Sequence, residues 1–176
     1  YLVDSGDEVR GQYVPVQPGQ PRWLQNKHQA LCAENGRVVP GFVFQHIPVP
    51  EICRLLTPAP CRRTDAVYGV GRHDGCLALN KQLCRPGGIL AEAPGTPVEN
   101  SGQFDALLAT KGIFAMFFGH DHRNTFSGMV DGIELGYTPS CGFDSYGAGT
   151  NRGGRLFVFH EDAPADFHTR ILTYRT

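Results

Sequence analysis

Ile113-Phe114-Ala115-Met116-Phe117-Phe118 is an unbroken apolar run, followed at once by Gly119-His120-Asp121-His122. A run so short and so rich in aromatic residues reads as a strand covered on both faces, of the kind found inside parallel sheets. Upstream, Val38-Val39 and Phe42-Val43-Phe44 flank Pro40-Gly41 and read as a second buried strand. It ends at Gln45-His46, because Ile47-Pro48-Val49-Pro50 cannot continue a hydrogen-bonded ladder. Between the two strands, Ser101 is placed to cap a helix through Phe104, Leu107 and Leu108, closed by Gly112. Nearer the start, Leu2-Val3-Asp4 reads as the end of a short buried strand, and residues 5–19 read as loop. Pro21 then opens an amphipathic helix over 21–35, with Trp23, Leu24, Ala30 and Leu31 on one face and Gly36 as its stop.

Downstream, segments 126–130 and 133–137 flank Asp131-Gly132, a dipeptide that tolerates the positive φ angles of a tight hairpin turn. A glycine-rich loop over 138–154 leads to strands at 155–160 and 167–174. The stretch 57–100 carries proline, glycine and cysteine without sustained periodicity, and is expected to be a long loop or insertion. The fold class is α/β, of the α+β kind. Three parallel strands alternate with helices, and an antiparallel meander follows. Asp4 and Asp7, His46, and His120 with His122 then all stand just beyond strand C-termini, the edge where open α/β sheets hold ligands.

Composition narrows the function. The net charge is −1 and the isoelectric point is near 6.7, which gives no electrostatic footprint for nucleic acid or an anionic membrane. No apolar run approaches the roughly 20 residues that span a bilayer. The chain begins at Tyr1 and its two methionines, Met116 and Met129, lie deep inside it, so a preceding segment is expected. Of the six cysteines, Cys53 with Cys61 and Cys76 with Cys84 each enclose a short loop. Two local disulfides in an exported protein and six free thiols in a cytosolic one both fit, and localisation stays open. Gly69-Val70-Gly71-Arg72-His73-Asp74-Gly75 and the run from Gly147 to Gly153 each miss a dinucleotide fingerprint by one residue and read as loops.

Imidazole nitrogen is the commonest protein ligand for borderline divalent cations, and two histidines share one turn here with a third beyond a neighbouring strand. Phe44-Gln45-His46-Ile47-Pro48, then Pro97-Val98-Glu99-Asn100-Ser101-Gly102, then Gly119-His120-Asp121-His122-Arg123-Asn124, then Arg155-Leu156-Phe157-Val158-Phe159 follow in order. In that order they resemble the calcineurin-like metallophosphoesterases, most closely the purple-acid-phosphatase-like branch. The resemblance runs from Leu2 to the C-terminus and is weakest over 57–96.

What the resemblance implies is specific. Residues 1–176 would form the C-terminal part of one metallophosphoesterase domain, the second half of a β-sandwich flanked by helices. His46 and His120 would bind one metal and His122 the other, in a centre of two divalent or trivalent ions (Fe, Zn or Mn) that hydrolyses a phosphoester. Asp121 and Asp144 would orient imidazoles; Asn124 and Tyr146 would line the substrate mouth. The family pattern also has Asp-x-His, Gly-Asp-x-x-Asp/Asn and Gly-Asn-His-Glu/Asp segments before the residue equivalent to His46. They are missing: Gly6-Asp7-Glu8-Val9-Arg10 has arginine where the pattern has Asp or Asn, and Asp166-Phe167-His168 lies at the wrong end. Three neutral imidazoles fall short of the four or more donors each ion normally takes, with no carboxylate to balance charge. The expected partner is therefore an N-terminal half, in the same chain or a companion, and the isolated chain is expected to be inactive. The alternative is a non-catalytic metallophosphoesterase-like binding module.

Overall fold

The structure, a computed structural model of the chain, describes residues 1–69 and 74–174. The middle of the Gly69–Gly75 run, residues 70–73, thus lies outside the described residues. The strands are β1 (Leu2–Val3), β2 (Glu8–Val9), β3 (Gln12–Tyr13), β4 (Gly41–Gln45), β5 (Leu56–Pro58), β6 (Val67–Tyr68) and β7 (Cys76–Leu79). They continue with β8 (Ile113–Phe118), β9 (Ser127–Val130), β10 (Ile133–Tyr137), β11 (Gly153–Val158) and β12 (His168–Thr173). Helices α1 (Gly19–Asn35) and α2 (Gln103–Leu108) and a 3-10 helix (Pro50–Leu55) lie between them. The protein is a mixed α/β structure with parallel and antiparallel sheets and few helices.

The main sheet runs β1-β4-β8-β10-β9. β1, β4 and β8 are parallel as the alternation of strand and helix requires. The meander is different from the sequence expectation. β10 is parallel to β8, and β9 lies outside it as an antiparallel edge. The turn after β8 carries the chain past one strand position, and β10 drops back into the gap through a tight turn with Asp131 at φ 48° and Gly132 at φ 90°. Burial explains the choice: every residue of β10 is buried, while β9 leaves Met129 45% exposed. The wholly buried strand takes the centre, and the partly exposed one takes the edge.

Strand periodicity divides the core in two. On one face Val43, Met116, Phe118, Leu135 and Tyr137 pack against Leu24 of α1, Phe104 and Leu107 of α2, and Ile52 and Leu55 of the 3-10 helix. On the other, Phe42, Phe44, Ala115 and Phe117 meet Phe157 and Phe167, from the separate β11–β12 pair and the residue before it. These rings sit edge to face, Phe117 to Phe157 at 4.8 Å and Phe42 to Phe157 at 5.1 Å. Gly136 makes room for them, since a Cβ there would lie 2.6 Å from the Phe117 ring. Glu134, a carboxylate buried on this face, is held by a two-pronged Arg85 at 2.7 and 2.6 Å and by the Ser127 hydroxyl at 2.8 Å.

Several local expectations change. Leu2 is 82% exposed, so β1 is an edge strand and not a buried one. Helix α1 does end on Gly36 at φ 62°, but its buried face is Pro21, Leu24 and His28. Trp23 is half exposed. Helix α2 is capped by Gly102 in the left-handed region and not by Ser101, because the Asn100 side chain accepts the Gly102 N–H at 2.9 Å and turns the chain there. Within 57–100, β5, β7 and β6 form a small antiparallel sheet. Neither local cysteine pairing forms. The disulfide is Cys61–Cys76, because the β5–β7 register pairs Pro58 with Leu77 and leaves residue 61 beside residue 76. Cys32, Cys53, Cys84 and Cys141 are free thiols. Burial pushes Cys53 up to about 12 and Cys84 up to about 11. No helix among the described residues is long and apolar enough to cross a membrane.

Candidate functional site

Parallel pairing of β4 with β8 aligns Gln45 with Phe118, so the residues that follow, His46 and Gly119-His120, emerge side by side. His120 Nδ1 lies 3.4 Å from His46 Nε2, with the rings edge to face. The approach needs Gly119, where a Cβ would sit 3.1 Å from His46 Nδ1. His120 itself takes φ 66°, a conformation costing roughly 1–2 kcal/mol for a residue with a Cβ. The Asp121 N–H donates back to the Gly119 carbonyl at 2.8 Å, which tightens the turn. Tyr13, from the β2–β3 hairpin, covers His120 edge-on at 4.3 Å. Burial, then the neighbouring His46 and His122, pulls the His120 pKa down to about 4, and burial lowers that of His46. Both present neutral nitrogen lone pairs at pH 7, as ligation requires.

His122 is held differently. Its Nδ1–H donates to the backbone carbonyl of Tyr146 at 2.7 Å, with the Ser145 hydroxyl 3.2 Å away. The Tyr146 ring stacks on the imidazole at 4.3 Å. That arrangement fixes the tautomer and leaves Nε2 as the free lone pair. The Tyr146 phenol reaches the His120 carbonyl at 3.4 Å.

The carboxylates and the amide take other places. Asp121 is buried and accepts the Gly95 N–H at 3.1 Å on each oxygen. Burial pushes its pKa up to about 6. Asp144 is exposed. Asn124 is fully buried and ties down the 91–92 backbone. Its Oδ1 accepts from Ala91 at 2.9 Å and Glu92 at 3.2 Å, and its Nδ2 donates to the Glu92 carbonyl at 2.9 Å. It clamps the wall of the site where a place at the substrate mouth was expected. Asp4 and Asp7 accept hydrogen bonds from Gly6 and Glu8 in their own loop. The orienting groups that sequence reading missed are Tyr13, Gly95, Ser145 and the Tyr146 main chain. Backbone acceptors and ring contacts leave no motif.

Beside the histidines lies a cavity of about 460 Å³, lined by Gln12, Tyr13, Glu92, Pro94, Asp121 and Tyr146 among others. A larger one, about 710 Å³, lies elsewhere, between β6 and the segment 85–91.

Two nitrogens on one tetrahedral ion at 2.0–2.1 Å lie about 3.3 Å apart, so the observed 3.4 Å between His46 and His120 matches two ligands of one ion. The same contact also serves as an N–H···N hydrogen bond. Among the described residues, however, no three His, Cys, Asp or Glu side chains are grouped to hold a metal. The imidazoles fit as part of a donor set, and the set is incomplete within this chain.

Over 170 residues the chain is 29% identical to the probable inactive purple acid phosphatase 29 of Arabidopsis thaliana, covering 90% of this chain and 37% of that protein. The chain is related to the purple acid phosphatases. It is 28% identical over 159 residues to the probable inactive purple acid phosphatase 14 of the same plant, covering 84% of this chain and 33% of that one. It thus spans about a third of the length of these purple acid phosphatase relatives. No protein-family model matches the chain, and no solved structure does.

Proposed function

We propose that this chain supplies the histidine-bearing part of a metal-dependent phosphoesterase centre, in the C-terminal half of a metallophosphatase-type sandwich, and that it does not complete the centre alone. The observation that carries the reading is the 3.4 Å approach of His46 Nε2 and His120 Nδ1 beyond two paired parallel strands. His46 and His120 would hold one cation and His122, through Nε2, the other. Bound there, the cations (Fe, Zn or Mn) would polarise a phosphoryl oxygen and activate water as a nucleophile.

The chain's own residues do the rest. The Tyr146 carbonyl holds the His122 tautomer, Gly119 lets the two other rings approach, and Tyr13 and Tyr146 wall the cavity that takes the phosphoester. Three uncharged donors cannot balance the charge of two cations. The remaining carboxylates come from an N-terminal half, in the same chain or a companion.

A second reading, a non-catalytic binding module, draws on Asp121, whose carboxylate is directed to Gly95, and on the relatives' names, which call them probable inactive. Hydrolysis of p-nitrophenyl phosphate by the intact protein, beside His120→Ala and His122→Ala variants, separates the two. The catalytic reading predicts activity that falls at least 100-fold in either variant. Activity untouched by both substitutions contradicts it. Bound metal without hydrolysis favours the module.

A further inference from the structure

We infer that Arg152 is a positioning residue for His122, acting through the main-chain carbonyl of Tyr146. This rests on the reading of His122 as a metal ligand. Arg152 is buried, 7% exposed, in front of β11. Its guanidinium donates to the Ser145 carbonyl at 2.6 Å, the Tyr146 carbonyl at 3.3 Å, the Ser140 hydroxyl at 3.5 Å and the Gly142 carbonyl. The Phe143 ring lies over it at 5.4 Å.

Apart from Arg152, the loop is held by ring contacts, Tyr146 on His122 at 4.3 Å and Phe143 on Tyr174 at 4.7 Å, and by the Tyr146 phenol on the His120 carbonyl. Residues 141–146 are all exposed, and nothing from that stretch enters either apolar core. Gly147 is part of the arrangement, since a Cβ there would stand 2.5 Å from the Arg152 Nη1. The Tyr146 carbonyl therefore receives the guanidinium at 3.3 Å, the Ser145 hydroxyl at 3.3 Å and the His122 Nδ1–H at 2.7 Å. A carbonyl already accepting from a cation is the weaker acceptor for any other donor, so Arg152 does not make His122 a more basic ligand. Its contribution is geometric. It keeps the carbonyl where the imidazole must donate to it, and so keeps Nε2 free and aimed. Groups in this supporting position typically change metal affinity by 10–100-fold when removed.

The test uses the intact protein with Arg152→Met, Arg152→Lys, Gly147→Ala and His122→Ala. Nitrogen-15 spectra of labelled histidines in the metal-stripped protein at pH 8 read the His122 tautomer, and chelator competition reads zinc affinity. Arg152→Met is expected to replace a single Nδ1–H tautomer by a mixture and to weaken zinc 10–100-fold. Arg152→Lys, a point charge that reaches fewer carbonyls, is expected to fall between. An unchanged tautomer in Arg152→Met overturns the inference. If that variant fails to fold, Gly147→Ala decides: it crowds the guanidinium without removing it and is expected to give the same mixture, and a fixed tautomer there is equally fatal. Zinc binding unaffected by His122→Ala would remove the ligand reading, while the tautomer would still decide the role of Arg152.

Discussion

His46 and His120 stand on the ends of neighbouring strands; His122, two residues further, leans on a loop from another part of the chain. The first pair is fixed by sheet register and backed by both apolar cores. The other is fixed by a carbonyl 24 residues away, in a segment gathered around one buried arginine. One half of the site is built by burial and the other by hydrogen bonds to main chain, so the two should fail under different perturbations.

The strongest way to break the first half is to remove its aromatic backing. Phe117→Ala deletes the ring that meets Phe42, Phe157 and Phe167, at a cost of about 3–5 kcal/mol. Urea denaturation should show that loss as one cooperative transition, and a change below about 1 kcal/mol would mean the sheet does not depend on this layer. Asn124→Ala should act on the wall near the second half. It leaves the Ala91 and Glu92 N–H groups without their acceptor, at about 1–3 kcal/mol. Hydrogen exchange should quicken at residues 91–95 while β8 stays protected.

A fourth histidine sharpens the contrast by being structural. His28 is buried on α1. Its Nδ1 lies 3.2 Å from the Tyr1 hydroxyl, and its Nε2 is packed where a Cβ on Gly112 would be 2.2 Å away. Burial lowers its pKa below the ordinary 6.5. The unfolded chain therefore takes up a proton first as pH falls, and the folded chain resists it. The stability associated with neutral His28 is present above pH 6.5 and is lost as pH drops through the window between the unfolded and folded values. His28→Asn should flatten that part of the stability curve; an unchanged slope between pH 6.5 and 5 would contradict the assignment. This is the smallest of the three effects.

What could be seen in the sequence follows the same division. β8 is the apolar run itself, and the Asp131-Gly132 turn and the Gly36 stop are local chemistry that needs no tertiary context. The position of β10 was not legible, because adjacency in sequence suggests a meander and only burial on both faces draws the strand inward. The strands inside 57–100 span two to four residues, too few for periodicity to register, and the Cys61–Cys76 bridge depends on their register. Trp23 looked like core by residue type, yet the helix turns His28 inward, into space left by Gly41 and Gly112. At the site, the histidines were legible as strand-end residues. Asp121 and Asn124 were not, since a short polar side chain in a turn faces either way and only the position of 91–95 decides.

The central claim is that this chain brings part of a two-metal donor set and that the remainder lies elsewhere in the protein. Metal analysis of the intact protein beside its His46→Ala, His120→Ala and His122→Ala variants tests it most directly. The account predicts two ions per intact molecule, with one lost or strongly weakened by removing His46 or His120 and the other by removing His122. An intact protein without bound metal, or one whose two ions survive all three substitutions, would contradict it.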